Sequence, residues 1–366
     1  MMLANRSNRS RSRSRSLRPV MVSLEERVLL NAAMPHHLHD PSVSAQVQLE
    51  GHQNHKSNQK VPGPTVTPIK KVSAGGFVFT NFDGPTPGTN AGAGTNQNGI
   101  SNSDTSVGFT IDNNGNFHNF TVNPLKSNSA TLLNINGSTT AMAFGTNSAG
   151  TVVGTDGNGN AFTLSNGKLT TFIPPGGTSA TAFGINDNGT IVGQYVTASA
   201  TPGFIKVNPK TYITINAPSG PNVVNAQSIN NKGLVVGFYV GTDGQDHGFM
   251  ASQGAAKKGT LTGTAITDPT IPTVKGEPGA TFVFSQILGV NDRCIAVGYY
   301  GDSTTSQHGF IYNTNTGKYT FLDDPSEAFD NGVEVTQITG ITNSGEITGF
   351  YSDANGVFHG FVATAP

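Results

Sequence analysis

Four histidines recur in similar company, as His118-Asn119-Phe120, His247-Gly248-Phe249, His308-Gly309-Phe310 and His359-Gly360-Phe361. Imidazole titrates near neutrality and ligates transition metals, so repeated imidazoles first suggest a lined channel. Repetition argues the other way. A catalytic centre needs unlike groups converging on one point, whereas a residue repeated in one local setting satisfies the same hydrogen bond each time. The expectation is structural histidines, no catalytic residue and no metal site. A second cluster, His36-His37-Leu38-His39, has ligand chemistry but lies in a stretch with few apolar residues to fix its geometry.

Oxygen-rich turns at Asp112-Asn113-Asn114-Gly115-Asn116, Asp156-Gly157-Asn158-Gly159-Asn160 and Asp243-Gly244-Gln245-Asp246 resemble calcium loops. They lack the downstream bidentate Glu of a helix–loop–helix site and fall where hairpins need turn residues anyway. Turn chemistry is the expectation, with weak surface Ca²⁺ binding as the one cofactor the acidic body would admit. Paired-carboxylate hydrolysis would draw on acids that the repeats do not share: Glu277, Glu327, Asp330, Glu334 and Glu346. There is no nucleophile elbow and no phosphate loop, and the single Cys294 stands at a turn position held by Gly in four other copies. The absence of Trp counts modestly against stacking of sugar rings.

The elements that must carry these residues follow from a phrase that recurs six times. Its clearest copy is Gly184-Ile185-Asn186-Asp187-Asn188-Gly189-Thr190-Ile191-Val192-Gly193, and the others run over 99–108, 145–154, 228–237, 289–298 and 340–349. The closing glycines Gly108, Gly154, Gly193, Gly237, Gly298 and Gly349 are about 48 residues apart on average. An apolar residue ends one strand, Asn-x-x-Gly makes a type I turn, and a β-branched pair begins the next. The His-Gly-Phe phrase opens a third strand. A fourth is signalled by Lys318-Tyr319-Thr320-Phe321-Leu322, Tyr212-Ile213-Thr214-Ile215 and Leu169-Thr170-Thr171-Phe172-Ile173.

Four short antiparallel strands per repeat, with 46 Gly and 20 Pro among 366 residues, leave little room for helix and predict an all-β, six-bladed β-propeller of four-stranded blades. Phe77–Pro85 reads as a fourth strand with no blade before it, while the last repeat stops after its third. The N-terminal strand is therefore expected to complete the last blade and close the ring. Residues 255–278 depart from the repeat and read as an insertion with a degenerate strand at 259–267, the place for something particular to this chain.

The repeated phrase followed by an aromatic and by His-Gly-Phe resembles the HAF family of bacterial extracellular repeats, over about 265 residues from Gly99 onward. The resemblance implies an extracellular, propeller-like domain and assigns no activity. Leu24-Glu25-Glu26-Arg27-Val28-Leu29-Leu30 resembles the LEPR-XLL segment of planctomycete surface and secreted proteins, departing where the family has Pro and this chain has Glu26. That resemblance implies extracytoplasmic sorting.

Charge divides along the chain. Residues 1–76 carry a net +7 and residues 77–366 a net −8, which average to −1. The Arg-Ser alternation through Arg15-Ser16 has no apolar periodicity and is expected to be disordered. Its charge suits phosphate, but an acidic body repels nucleic acid, so no nucleic-acid partner is expected. No apolar run is long enough for a transmembrane helix, and one Cys excludes an intrachain disulfide. The predicted organisation is a basic tail with a sorting segment at 1–34, a disordered linker at 35–76 and the propeller at 77–366. The function expected from these readings is an exported, monomeric, non-enzymatic binding or surface-scaffold module for an extracellular glycan or protein. The alternative is an extracellular polysaccharide hydrolase or lyase on the same scaffold.

Overall fold

The computed structural model describes residues 64–256, 259–270, 279–328 and 333–365. The predicted tail and sorting segment, most of the predicted linker, the histidines at 36–39, Glu277 and Asp330 lie outside the described residues. Strand dominates: the one helical element among the described residues is a 3-10 turn at Gln253–Ala255. No helix there is long and apolar enough to cross a membrane.

The chain begins with β1 (Thr67–Ala74) and β2 (Phe77–Asp83), an antiparallel hairpin. Thr67–Ala74 had been expected to fall in the linker, because Lys70, Lys71 and Ser73 give it little apolar character. Backbone pairing along the β2 edge makes a strand of it in spite of its exposed side chains, a case of tertiary context overriding composition. A meander follows of β3 (Gly94–Ile100), β4 (Ser106–Ile111), β5 (Phe117–Val122) and β6 (Ala130–Leu132). The second is β7 (Met142–Thr146), β8 (Val152–Thr155), β9 (Ala161–Ser165) and β10 (Lys168–Phe172), and the third β11 (Ser179–Ile185), β12 (Ile191–Val196), β13 (Gly203–Asn208) and β14 (Thr211–Asn216).

The fourth group holds β15 (Val224–Ile229), β16 (Leu234–Val240) and β17 (Asp246–Ser252), with β18 (Gly259–Thr262) and β19 (Thr264–Ala265) after it. Here the insertion does two jobs. β19 pairs antiparallel with β17 as the fourth strand of its own sheet, while β18 runs parallel to β14 and extends the preceding sheet. The fifth group is β20 (Phe282–Val290), β21 (Ile295–Asp302), β22 (Gln307–Asn313) and β23 (Lys318–Phe321), and the last β24 (Thr336–Ile341), β25 (Ile347–Ser352) and β26 (Phe358–Thr364). β26 has β25 on one side and β2 on the other. This serial repetition of four-stranded antiparallel sheets makes the fold all-β and propeller-like.

The core lies between successive sheets. Ile205, Ile213 and Ile215 of the third pack with Val224, Ala226, Val235 and Phe249 of the fourth, and Val297 of the fifth packs with Ile338, Ile347, Phe361 and Phe79. The repeated glycines make that packing close enough. Each first strand carries a β-bulge, as between Ala182 and Gly184 or Ile287 and Gly289. The closing glycine sits opposite it. A Cβ on Gly298 would overlap the Gln286 carbonyl oxygen and come within 2.9 Å of the Phe310 ring, the Phe of the facing His-Gly-Phe. Gly and Phe are thus a cross-strand pair in which one residue vacates the space the other fills.

Candidate functional site: a plug between the first strands and three aspartate-bridged histidines

The first strands converge at their C-terminal ends. A Cβ on Gly99 would lie 2.8 Å from the Phe144 carbonyl oxygen and one on Gly145 2.6 Å from that of Phe183. One on Gly184 would approach Ser228, one on Gly289 would meet Gly340, and one on Gly340 would meet Gly99. No side chain fits at these points, so the approach is backbone on backbone. A cavity of about 80 Å³ remains among them.

The turn that leaves each first strand supplies the next layer. The Asn186 Oδ1 accepts the Thr190 N–H at 2.9 Å, while its Nδ2 donates to the Asn230 carbonyl of the following repeat at 3.0 Å. Asn147, Asn230 and Asn291 make the same step, to Asn186, Asn230's successor Asn291, and Thr342. The predicted turn asparagine therefore closes its own turn and fastens its neighbour. In the same turns Gly150, Gly189, Gly233 and Gly345 have positive φ, and Cys294 adopts φ 61° in their place. That matches a thiol substituted into a left-handed turn position.

One residue further on, a hydrogen-bonded path crosses the cavity mouth. The Ser148 N–H donates to Asp187 Oδ1 at 2.8 Å, the Asp187 N–H to Asn231 Oδ1 at 2.9 Å and the Asn231 N–H to Asp292 Oδ1 at 2.7 Å. The Asp292 N–H then donates to Asn343 Oδ1 and the Asn343 N–H to Asn102 Oδ1, both at 2.8 Å. Side-chain amides fill the remaining oxygens: Asn102 Nδ2 reaches Asp187 Oδ2 at 2.9 Å, and Asn343 Nδ2 reaches Asp292 Oδ2 at 2.7 Å. Burial works against the Asp187 charge, but the Ser148, Asn102 and Asn231 donors outweigh it and hold its carboxyl below the usual range. Both aspartates are thereby satisfied as parts of a plug.

The recurrent histidines stand at the outset of the third strands, three of them against a Tyr of the second and His118 opposite Thr110. Tyr239, Tyr300 and Tyr351 have ring centroids 5.8, 5.2 and 5.2 Å from His247, His308 and His359. Each of these rings is also flanked by two aspartates. His247 Nδ1 lies 2.7 Å from Asp268 Oδ2 and its Nε2 3.1 Å from Asp243. His359 Nδ1 lies 2.7 Å from Asp83 Oδ1 and its Nε2 3.6 Å from Asp353. His308 Nδ1 lies 3.1 Å from Asp323 Oδ2 and its Nε2 3.7 Å from Asp302. One aspartate comes from the hairpin before the His and the other from the end of the fourth strand, so each imidazole links the second turn of a sheet to its outer edge. His118 has only the hairpin partner, Asp112, at 3.1 Å.

Burial pulls these imidazoles down and their aspartates push them up more strongly, so His247 and His359 are raised and His308 is raised to about 9. The recurrence of His-Gly-Phe does not by itself reveal the flanking aspartates. Their signal is an Asp four to six residues before the His, and a second Asp just before the Pro that follows the fourth strand, as in Asp268-Pro269 and Asp323-Asp324-Pro325.

The oxygen-rich turns are filled by their own backbone. Asp112 Oδ1 accepts the Asn114 and Asn116 N–H groups at 2.8 and 2.9 Å, and Asp156 Oδ1 those of Asn158 and Asn160 at 2.8 and 3.1 Å. Among the candidate acids, Glu346 is engaged by the Thr342 and Ser344 hydroxyls of its own turn. Glu327 and Glu334 are brought together with Asp323 and His308. Thr336 donates its hydroxyl to Glu327 Oε2 at 2.5 Å, and burial, with the Asp323 and Glu334 charges adding to it, pushes the Glu327 carboxyl upward. The His308 side chain is 2% exposed and that of Asp323 30%, so this cluster opens to solvent on the Asp323 side.

The fold and these sites define an all-β, propeller-like repeat protein. No family model and no curated protein matches the chain. Among solved structures it is similar to virginiamycin B lyase from Staphylococcus aureus, with 11% identity, a TM-score of 0.44 and coverage of 83% of this chain and 97% of the other. It is also similar to the Aleuria aurantia lectin, with 9% identity, a TM-score of 0.41 and coverage of 73% and 91%. The β-propeller domain of the trilobed protease from Pyrococcus furiosus gives 7%, 0.40, 84% and 95%. At these scores the likenesses carry no argument about this chain, whose fold rests on its own strand pairing.

Proposed function

We propose that the chain is an exported, non-enzymatic, six-bladed β-propeller that acts as a binding or cell-surface scaffold module for an extracellular glycan or protein. The observation that carries this reading is the plug between the first strands. A small-molecule site commonly needs some 300 Å³ or more, whereas the cavity between the first strands is about 80 Å³ and its mouth is crossed by Asn102, Asp187, Asn231, Asp292 and Asn343. The titratable groups at that mouth are spent on hydrogen bonds, leaving the outer loops as the contact surface.

Six blades are supported by the six turns linked in series and by the approach of Gly340 to Gly99, which brings the last repeat back to the first. Closure is supported by the β2–β26 pairing and by the Thr339 hydroxyl donating to the Gln97 carbonyl at 2.7 Å. Export rests on the LEPR-XLL and HAF resemblances and on the split between a basic tail and an acidic body. Fractionation of cells is expected to recover the protein outside the cytoplasm, and recovery inside would overturn that part.

One observation favours a second reading, a polysaccharide hydrolase or lyase. Glu327 is a half-buried carboxyl with a raised proton affinity beside Asp323 and His308, the kind of environment in which a general acid is tuned. The deciding experiment is a screen of residues 64–366 against glycans and cell-surface proteins, with polysaccharide cleavage assayed in parallel. Binding without cleavage is the expected result. Cleavage that Glu327→Gln abolishes would establish the second reading instead.

A further inference from the structure

We propose that His308, Asp323 and Glu327 together bind one divalent transition-metal ion, with zinc as the expected occupant. The donor set is one imidazole and two carboxylates, a borderline nitrogen–oxygen combination that suits zinc better than the all-oxygen sets of calcium or magnesium. Their ligand atoms all lie within 4.8 Å of one another. Tetrahedral zinc with bonds of about 2.0–2.2 Å spaces its donors about 3.3–3.6 Å apart. Closing the cluster on an ion therefore takes side-chain movement of up to about 1.5 Å, shared by Asp323 and Glu327, both of which are only partly buried.

The surroundings are arranged as a ligand's partners usually are. Asp302 lies 3.7 Å from Nε2 of His308, so that Nδ1 is the nitrogen turned toward Asp323 and the candidate ion. Thr336 holds Glu327 by its hydroxyl. Ligating histidines and carboxylates are commonly oriented by such outer contacts.

His308 differs from the other two bridged rings in its ligand set. His247 and His359 have the same Tyr stack and the same pair of flanking aspartates as His308. Among the described residues only the His308 group gains a third ligand. Glu327 has no counterpart where Asp83 is followed by Gly84-Pro85-Thr86 or Asp268 by Pro269-Thr270. Among the described residues no such carboxylate stands beside His247 or His359, yet at His308 one is drawn beside a buried ring that already has Asp302 and Asp323 as neighbours. A divalent ion offsets that charge, and three protein ligands leave a coordination position for water on the exposed Asp323 side.

The test uses the full chain with His36, His37, His39, His52 and His55 replaced by Gln, so that the tail cannot bind the ion. After removal of metal with a chelator, titration with Zn²⁺ should fill one site per chain, and Glu327→Gln should weaken it by roughly tenfold or more. His247→Gln and His359→Gln should leave the affinity unchanged. Cobalt(II) bound in place of zinc should give visible ligand-field absorption in the otherwise unaltered cluster, a readout that needs no variant there to fold. Absence of that absorption, no zinc retained after desalting, or a zinc affinity indifferent to Glu327→Gln would each overturn the proposal.

Discussion

At the scale of single residues, three of the recurrent histidines share one local setting. Each bridged imidazole joins two aspartates from different parts of a sheet, and a charged ring answers both. A folded-state pKa raised above the ordinary 6.5 gives a contribution fully present below that value and lost as pH rises through the folded one. His359 is raised against Asp83 and Asp353 although burial alone would lower it. His247 is raised as well and His308 to about 9, so stability toward urea is expected to fall as pH rises above about 6.5. In His359→Gln that decline should be shallower, because one of the contributing rings no longer titrates. Denaturation midpoints across the range check this, and an equal slope in the variant would refute it. The shared setting of the imidazoles was legible from their recurrence. The Asp83 partner was not, because it lies 276 positions from His359 and meets it only through the β2–β26 pairing.

At the scale of elements, the repeated phrase encodes a strand, a turn and a strand by rules that operate over ten residues. Asn closes the turn, a positive-φ position follows it, and the final Gly lies across from a bulge. Those rules are local, which is why the strand pairs and turns were readable from sequence. Gly298→Ala tests the last of them: its Cβ would overlap the Gln286 carbonyl, which cannot retreat without breaking the β20–β21 pairing. A loss of about 3 kcal/mol or more is expected by urea unfolding, in the range of severe overpacking. Gly254→Ala is the control, since its Cβ would have nothing nearer than Ser252 Oγ at 3.6 Å. Comparable melting of the two variants would show that the bulge is not what demands glycine. The insertion marks the limit of this legibility. A strand was expected around 259–267, but its division between two sheets depends on which edges happen to be open, namely those of β14 and β17.

At the scale of the whole molecule, β2 occupies the edge of β26, and β1 covers β2 in turn. Deleting residues 64–84 would expose the β26 edge and remove Phe79 and Phe82, both fully buried, from the packing around it. An unpaired edge invites pairing between molecules, so light scattering after size exclusion is expected to show oligomers or aggregate. A monomer melting like the parent would refute closure by this hairpin. The period of the repeats, the type of each turn, the need for glycine at fixed places and the division into a basic tail and an acidic body were determined by the sequence alone, because each depends on neighbouring residues or on composition. Tertiary structure decided what distant repeats build together: the plug of Asn102, Asp187, Asn231, Asp292 and Asn343, the second aspartate on each bridged histidine, and the meeting of Glu327 with His308 and Asp323. Those groups converge only when separate strands are packed side by side, and no spacing along the chain records that distance.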